Sequence, residues 1–208
     1  MKKDENSTMQ QSQPSGQLKL WAIILLSAAP IVVAAYMYFG NVWVPAGTTN
    51  KGSFIIPPVS SELINVDKIH TEEPGFQQLD GHRKWIILLL ADSVCDQRCE
   101  RSLYMSRQVN TALGKDANRV GRLLLQTKQD SKLNSLLGEH PQLIVRQISQ
   151  NQVEDLIEAV AMHDLLLDSF DMLLIDPLGN IMMHYKSEQD GKDLLEDLKR
   201  LLKVSKIG

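Results

Sequence analysis

Two cysteines are the residues of this chain whose types and spacing suggest chemistry. Cys95 and Cys99 are the only cysteines among 208 residues. The near-continuous apolar run at residues 84–91 comes before them and is typical of a strand buried on both faces of a sheet. Apolar residues then recur at helical spacing over residues 100–113, so the pair is predicted to lie between a central strand and a helix. Because the amino end of a helix favours an anion, the pattern predicts thiol redox or soft-metal chemistry.

A structural disulfide is the alternative role for this pair. A ring closed over so few residues stabilises the fold little on loop-entropy grounds, so we favour a functional pair. The neighbouring charges act in opposite directions. Arg98 and Arg101 favour a thiolate, whereas Asp96 and Glu100 disfavour it, and the sequence leaves their net effect open.

A membrane anchor is predicted well before the cysteines, at residues 18–39. From residue 20 onward this run carries no charge, and it is long enough to cross roughly 30 Å of hydrocarbon as a helix. Lys2, Lys3 and Lys19 precede the uncharged part of the run and only Lys51 lies close behind it, which places the N-terminus in the cytoplasm. A cleaved signal peptide is the alternative, although its apolar region is usually only about 7–15 residues long. In a bacterium the anchor would lie in the inner membrane and the C-terminal domain in the periplasm, where cysteines can be oxidised.

The rest of the chain divides into a tail, a tether and one domain. Residues 1–17 are polar and predicted to be disordered, and residues 40–63 are rich in Gly, Pro and Thr, as in an extended tether. Residues 64–208 are predicted to form one exported α/β domain, because strands alternate with helices before a late hairpin. The predicted strands are 84–91, 119–126, 142–148, 172–175 and 181–185, and the predicted helices are 100–113, 128–139, 151–162 and 191–203.

These features together resemble the thioredoxin fold and, within it, the SCO family of membrane-anchored proteins that assist copper delivery to cytochrome c oxidase. The matching motifs are GHRKW at residues 81–85, the CxxxC spacing, and LIDPxG at residues 174–179. A tether with NKGS at residues 50–53 and two prolines at 57–58 matches as well. The resemblance covers roughly residues 50–204. It implies a thioredoxin-like α/β fold, βαβ plus ββα, with an N-terminal transmembrane helix.

The chain departs from the family pattern beside each cysteine. Family members usually carry a proline after each cysteine, where this chain has Asp96 and Glu100. Thioredoxin-type oxidoreductases also carry a cis-proline at the position before Met172, and this chain has none there.

Copper is the cofactor that the resemblance implies, with Cys95 and Cys99 as ligands for Cu(I). The position of the family's ligand histidine corresponds here to Asp168, and a carboxylate is a poor ligand for a soft ion. His163 and His184 are candidate substitutes, although a surface or hydrogen-bonded histidine is the more common situation.

Three functional hypotheses follow. The resemblance implies an assembly factor for cytochrome c oxidase, whose partners are the membrane and oxidase subunits or other assembly proteins. In that role Cys95 and Cys99 hold Cu(I) or cycle between dithiol and disulfide. The second hypothesis is a general periplasmic thiol-disulfide reductase, and the third is a non-catalytic relative that binds a protein partner. A net charge of −3 argues against nucleic acid as the partner.

Overall fold

The computed structural model describes residues 16–40, 49–65, 83–92 and 94–205. The chain divides into two compact units, and the boundary between them lies between Thr49 and Asn50. Most of the predicted tail at residues 1–17 lies outside the described residues, as do the first two residues of the GHRKW motif.

Helix α1 of the first unit covers Gly16–Phe39. It is long and apolar enough to cross a membrane, by length and composition, and includes Pro30. The predicted N-terminal apolar helix is therefore confirmed, and it begins two residues earlier than expected.

A mixed sheet forms the centre of the second unit. In the part of the chain that the structure describes, six strands pair in the order β1-β6-β5-β2-β3-β4. Strands β2, β3 and β4 are parallel, while β5, β6 and β1 pair antiparallel. The strands are β1 (Ser53–Ser60), β2 (Trp85–Ala91), β3 (Val120–Gln126), β4 (Leu143–Gln147), β5 (Met172–Ile175) and β6 (Asn180–Tyr185). The helices are α2 (Gln97–Ala112), α3 (Ser131–Leu137), α4 (Gln150–Ala161) and α5 (Gly191–Val204).

Strand β2 lies inside the sheet and is buried along its whole length. Its alternate side chains enter two different cores, because successive residues of a strand point to opposite faces. Ile87 and Leu89 pack in the core that contains Leu103 of α2 and Leu198 of α5. Ile86 and Leu88 pack in the core that contains Val153, Leu156 and Val160 of α4. The prediction of a central strand buried on both faces is confirmed.

Strand β1 lies in the stretch that the sequence analysis assigned to the tether. It pairs with β6, and its buried residues are Ile55 and Val59. Pro57 and Pro58 lie between them, and the pairing register shifts across this stretch. Proline lacks an N–H donor and is tolerated at a sheet edge, so the edge position explains how a proline-containing segment can form a strand.

The carboxylate of Asp197 fixes the start of the second unit to helix α5. Its Oδ2 accepts hydrogen bonds from the N–H groups of Lys51 (2.8 Å) and Gly52 (2.9 Å) and from the Tyr185 hydroxyl (3.0 Å). Burial and then the Asp197 charge raise the pKa of Tyr185, so the phenol keeps its proton and remains a donor. The segment before β1 is therefore held by a buried, charge-assisted network.

Replacing Gly52 by alanine is expected to destabilise the protein. A Cβ at this position would lie 2.5 Å from two atoms of the Tyr185 ring, which is buried and hydrogen-bonded to Asp197. Overpacking of this kind costs about 1–3 kcal/mol, measurable by urea unfolding of the detergent-solubilised chain. The matched control is Gly138→Ala, because a Cβ there would meet no described atom within 4 Å. Equal stability of the Gly52→Ala and wild-type proteins would contradict the packing around Tyr185.

Candidate redox site

A disulfide joins Cys95 and Cys99 at the amino end of helix α2. Cys95 lies just before the helix and Cys99 in its first turn, with their Cα atoms 5.1 Å apart. Both residues are buried, with exposed fractions of 2% and 0%. The pair therefore lies between β2 and α2, where the sequence pattern placed it.

Asp96, between the two cysteines, is the N-cap of helix α2. Its side chain accepts hydrogen bonds from the N–H groups of Arg98 (2.9 Å) and Cys99 (3.1 Å). These bonds, that from Cys99 above all, lower the pKa of Asp96, so the cap is a carboxylate at neutral pH. The helix therefore begins at Gln97, three residues before the predicted start at residue 100, because Asp96 supplies the cap.

Asp130 supports the site from the neighbouring loop. One of its oxygens accepts a hydrogen bond from the Cys95 N–H (2.7 Å), and the other accepts from Lys132 (2.8 Å) and Leu133 (3.3 Å) as the N-cap of α3. The Cys95 N–H makes the largest contribution to the lowered pKa of Asp130. A single carboxylate thus connects the loop after β2 to the start of α3.

Ion pairs offset part of the charge around the cysteines. Arg98 pairs with Asp96 at 3.2 Å, and Lys132 pairs with Glu100 at 2.7 Å. Since these side chains are about half exposed, the pairs stabilise the fold little, but they leave the carboxylate of Asp130 as the acid that contacts Cys95 directly. The Asp130 carboxylate therefore opposes the thiolate that the start of the helix favours.

The segment before β5 packs against the end of β2. The Phe170 N–H donates to the Leu90 carbonyl at 2.7 Å, and the Asp92 N–H donates to the Ser169 hydroxyl at 3.3 Å. The Ser169 hydroxyl in turn donates to the Asp92 carboxylate. Phe170 is fully buried in the same core as the two cysteines. This segment includes Asp168, whose backbone N–H and carbonyl both bond to Asp171.

The two histidines considered as copper ligands are engaged elsewhere. His184 Nε2 lies 2.7 Å from the Asp171 carboxylate, and both side chains are buried. Asp171 also accepts from the Ser187 N–H at 2.7 Å, so it fills a structural role just before Met172. His163 Nδ1 lies 3.0 Å from the Ile56 carbonyl of β1.

Among the described residues, the donor set does not fit copper held by a third protein ligand. Within residues 16–40, 49–65, 83–92 and 94–205, no group of three or more His, Cys, Asp or Glu side chains is placed to hold a metal ion. Cys95 and Cys99 are brought together, whereas Asp168, His163 and His184 do not join them in such a group. The Cys95–Cys99 pair can carry out thiol-disulfide exchange without any further ligand.

A groove of about 360 Å³ lies between the loops that follow β2 and β3. Val94, the residue before Cys95, is 77% exposed and lines this groove together with Asp130. The other lining residues are Ala91, Asp92, Thr127, Lys128, Gln129 and Ser131. The groove therefore reaches two residues that adjoin Cys95: Val94, which precedes it, and Asp130, which binds its N–H.

The family described as the transmembrane-like, thioredoxin-like C-terminal domain matches residues 85–205. The chain belongs to this family. The match confirms the thioredoxin-like fold that the motifs predicted for this protein. No curated protein matches the chain.

Solved structures similar to this thioredoxin-like chain include three Sco proteins, the group that its motifs resemble. The copper-bound ScoI of Arabidopsis thaliana is 18% identical, with 61% of this chain and 93% of that chain covered and a TM-score of 0.47. The copper-bound Sco1 of yeast is 17% identical, with 59% of this chain and 80% of that chain covered and a TM-score of 0.47. The apo Sco1 of Thermus thermophilus is 14% identical, with 75% of this chain and 99% of that chain covered and a TM-score of 0.48.

Asp130 is the site residue that sequence reasoning missed. An acid before a predicted helix signals an N-cap, but the helix was placed at residues 128–139, with Asp130 inside it. Its contact with Cys95 follows from the pairing of β2 with β3, which brings the loops after both strands to the same edge of the sheet. The sequence around Asp130 and around Cys95 contains no local signal for this pairing of β2 with β3.

Replacing Asp130 by alanine is expected to loosen the loop that carries Cys95. The substitution removes the acceptor of the Cys95, Lys132 and Leu133 N–H groups, so their amide hydrogen exchange is expected to become several-fold faster. The measurement is hydrogen exchange on the full chain in detergent. Asp190→Ala is the matched control, because Asp190 caps α5 through the Lys192 N–H. The same acceleration at Cys95 in both variants would contradict the role assigned to Asp130.

Proposed function

We propose that this chain is a membrane-anchored thiol-disulfide protein that keeps the cysteines of a partner reduced during cytochrome c oxidase assembly. The observation that carries the proposal is the Cys95–Cys99 disulfide at the amino end of α2 in a thioredoxin-like domain. The assembly role draws on the resemblance of residues 81–85 and 174–179 to SCO motifs.

Cys95 is the cysteine that attacks. It lies before the helix, and its neighbours Val94 and Asp130 line the groove, whereas Cys99 lies within the first turn of α2 and is fully buried. In the reduced chain, the Cys95 thiolate attacks one sulfur of the partner's disulfide, and the other partner sulfur leaves as a thiol. Cys99 then attacks the Cys95 sulfur, which releases the second partner thiol and forms the observed disulfide. A separate dithiol protein restores the reduced pair, so electrons and protons balance over the cycle.

Helix α1 and the lysines around it support the compartment in this proposal. Lys19 and the earlier lysines favour a cytoplasmic N-terminus, so the proposal assigns helix α1 to a bacterial inner membrane and the thioredoxin-like domain to the periplasm. A disulfide persists more readily there than in the cytoplasm, which agrees with an oxidised Cys95–Cys99 pair.

Copper handling is the alternative form of the assembly role. After reduction, Cys95 and Cys99 offer two thiolates suited to Cu(I), with copper as cargo. Thiol maintenance ranks first because it needs only these two residues, and no third ligand accompanies them in the part of the chain that the structure describes.

A redox titration tests the proposal. The full chain in detergent is equilibrated with thiol-disulfide buffers, and the reduced fraction is counted by thiol labelling and mass spectrometry. An exchange-active pair is expected to have a midpoint between about −270 and −180 mV, the range of thioredoxin-like redox proteins. A midpoint below roughly −300 mV would identify a structural disulfide and overturn the redox role.

The assembly role is tested separately in the host cell. Deletion of the gene is expected to lower cytochrome c oxidase activity, and the wild-type gene is expected to restore it. Cys95→Ser and Cys99→Ser are expected not to restore it, whereas Asp190→Ala, which changes a distant helix cap, serves as the matched control. Full restoration by the cysteine variants would show that the disulfide is not needed for assembly.

A further inference from the structure

A buried arginine without a partner lies on the sheet, away from the cysteines. Arg122 of β3 is 3% exposed, and its Nε and Nη1 have no hydrogen-bond partner among the residues that the structure describes. Its neighbours across the sheet are Ile87 of β2 and Leu143 of β4. Because a buried charge without a partner is costly, this arrangement needs a compensating group.

Two further groups lie beside Arg122. Arg107 of α2 donates from Nη1 to the Glu139 carbonyl at 2.6 Å, which holds α2 against the connection between α3 and β4. His140 comes next in that connection, is buried, and has an Nδ1 without a partner in the described part of the chain. Its carbonyl accepts from the N–H of Leu143, the cross-strand neighbour of Arg122. The backbone thus brings Arg107, His140 and Arg122 together, and the half-buried Arg107 connects the cluster to solvent.

The electrostatics agree with this proximity. Burial and then the charge of Arg107 lower the pKa of Arg122 to about 10, which leaves it charged at neutral pH. Burial, then Arg122 and Arg107, lower the pKa of His140, and Glu139 is the acid that opposes this effect. Within the described ranges, no carboxylate forms an ion pair with either arginine of this cluster. Two positive charges and the unpaired nitrogens of Arg122 and His140 therefore lie close together.

We propose that Arg122, Arg107 and His140 form a binding site for a doubly charged oxyanion of the phosphate type. Two guanidinium groups match two negative charges, and guanidinium donors suit the geometry of phosphate oxygens. The Nε and Nη1 of Arg122 provide hydrogen-bond donors, and the Nδ1 of His140 adds another in the tautomer that carries the proton there. The bound anion would also neutralise the buried charge of Arg122.

This site is separate from the redox site. Arg122 precedes the end of β3 at Gln126 by four positions, and Gln126 pairs with Ala91, after which the cysteine loop begins. Four strand residues span about 13 Å. Success or failure of the anion site therefore leaves the proposed thiol-disulfide function untouched.

Inorganic phosphate is the probe for this site. The full chain in detergent is heated at pH 7 in potassium phosphate or in sodium chloride of matched ionic strength, and phosphate binding is measured by equilibrium dialysis. We expect saturable binding of about one phosphate per chain and a higher Tm in phosphate than in chloride. The absence of a phosphate-specific rise in Tm would overturn the proposal.

Three variants show whether the cluster is responsible. Arg122→Met is expected to lose the phosphate response and to keep or raise the Tm measured in chloride, because an unpaired buried charge is removed. Arg107→Gln is expected to weaken phosphate binding at least tenfold. Arg101→Gln is the matched control, since Arg101 lies on the same helix, bonds to the Glu188 carbonyl and should leave binding unchanged. Full phosphate binding by Arg122→Met would overturn the assignment.

The source of the phosphate group is distinguished with two esters. Glycerol 3-phosphate, a doubly charged monoester, is expected to compete with phosphate for the site. Dimethyl phosphate carries one charge, like a phospholipid headgroup, and is expected to compete at least tenfold less well. Equal competition by the diester would overturn the requirement for two charges and indicate a lipid headgroup instead.

Discussion

The hydrogen bond between the Cys95 N–H and the Asp130 carboxylate is the contact on which the candidate redox site depends. It forms because β2 and β3 run parallel and pair over their whole length, so both following loops lie at one edge of the sheet. The same carboxylate caps α3, while Asp96 caps α2 through the Cys99 N–H. Each cysteine N–H is therefore bound to an acid, and the disulfide is held by the caps of two helices.

The two N-cap carboxylates also affect how stable a thiolate is at either cysteine. A thiolate at the start of a helix is stabilised by free N–H groups and the helix dipole, but here carboxylates already occupy the Cys95 and Cys99 N–H groups. The environment thus favours the uncharged disulfide over a pair of thiolates, as expected of a protein that donates electrons and then rests in the oxidised form. In the proposed function, exchange proceeds through Cys95, whose neighbours Val94 and Asp130 line the groove.

The sequence predicted those parts of the structure whose signals are local. The apolar run of β2, the hairpin after Asp176 and the helices α4 and α5 occur close to their predicted positions, since periodicity and turn residues define them. Strand β1 was missed because Pro57 and Pro58 interrupt its pattern. Asp130 and the group around Arg122 were missed for a different reason. Their contacts join residues far apart in sequence, and only strand pairing brings them together.

The order in which the two cysteines react is the central claim, and alkylation of the reduced chain tests it most directly. The full chain in detergent is reduced, treated with limiting iodoacetamide and digested, and the modified cysteines are identified by mass spectrometry over time. The account predicts that Cys95 is alkylated first, because its neighbours Val94 and Asp130 line the groove, while Cys99 is protected inside α2. Faster alkylation of Cys99, or no alkylation of either cysteine until the protein unfolds, would contradict it.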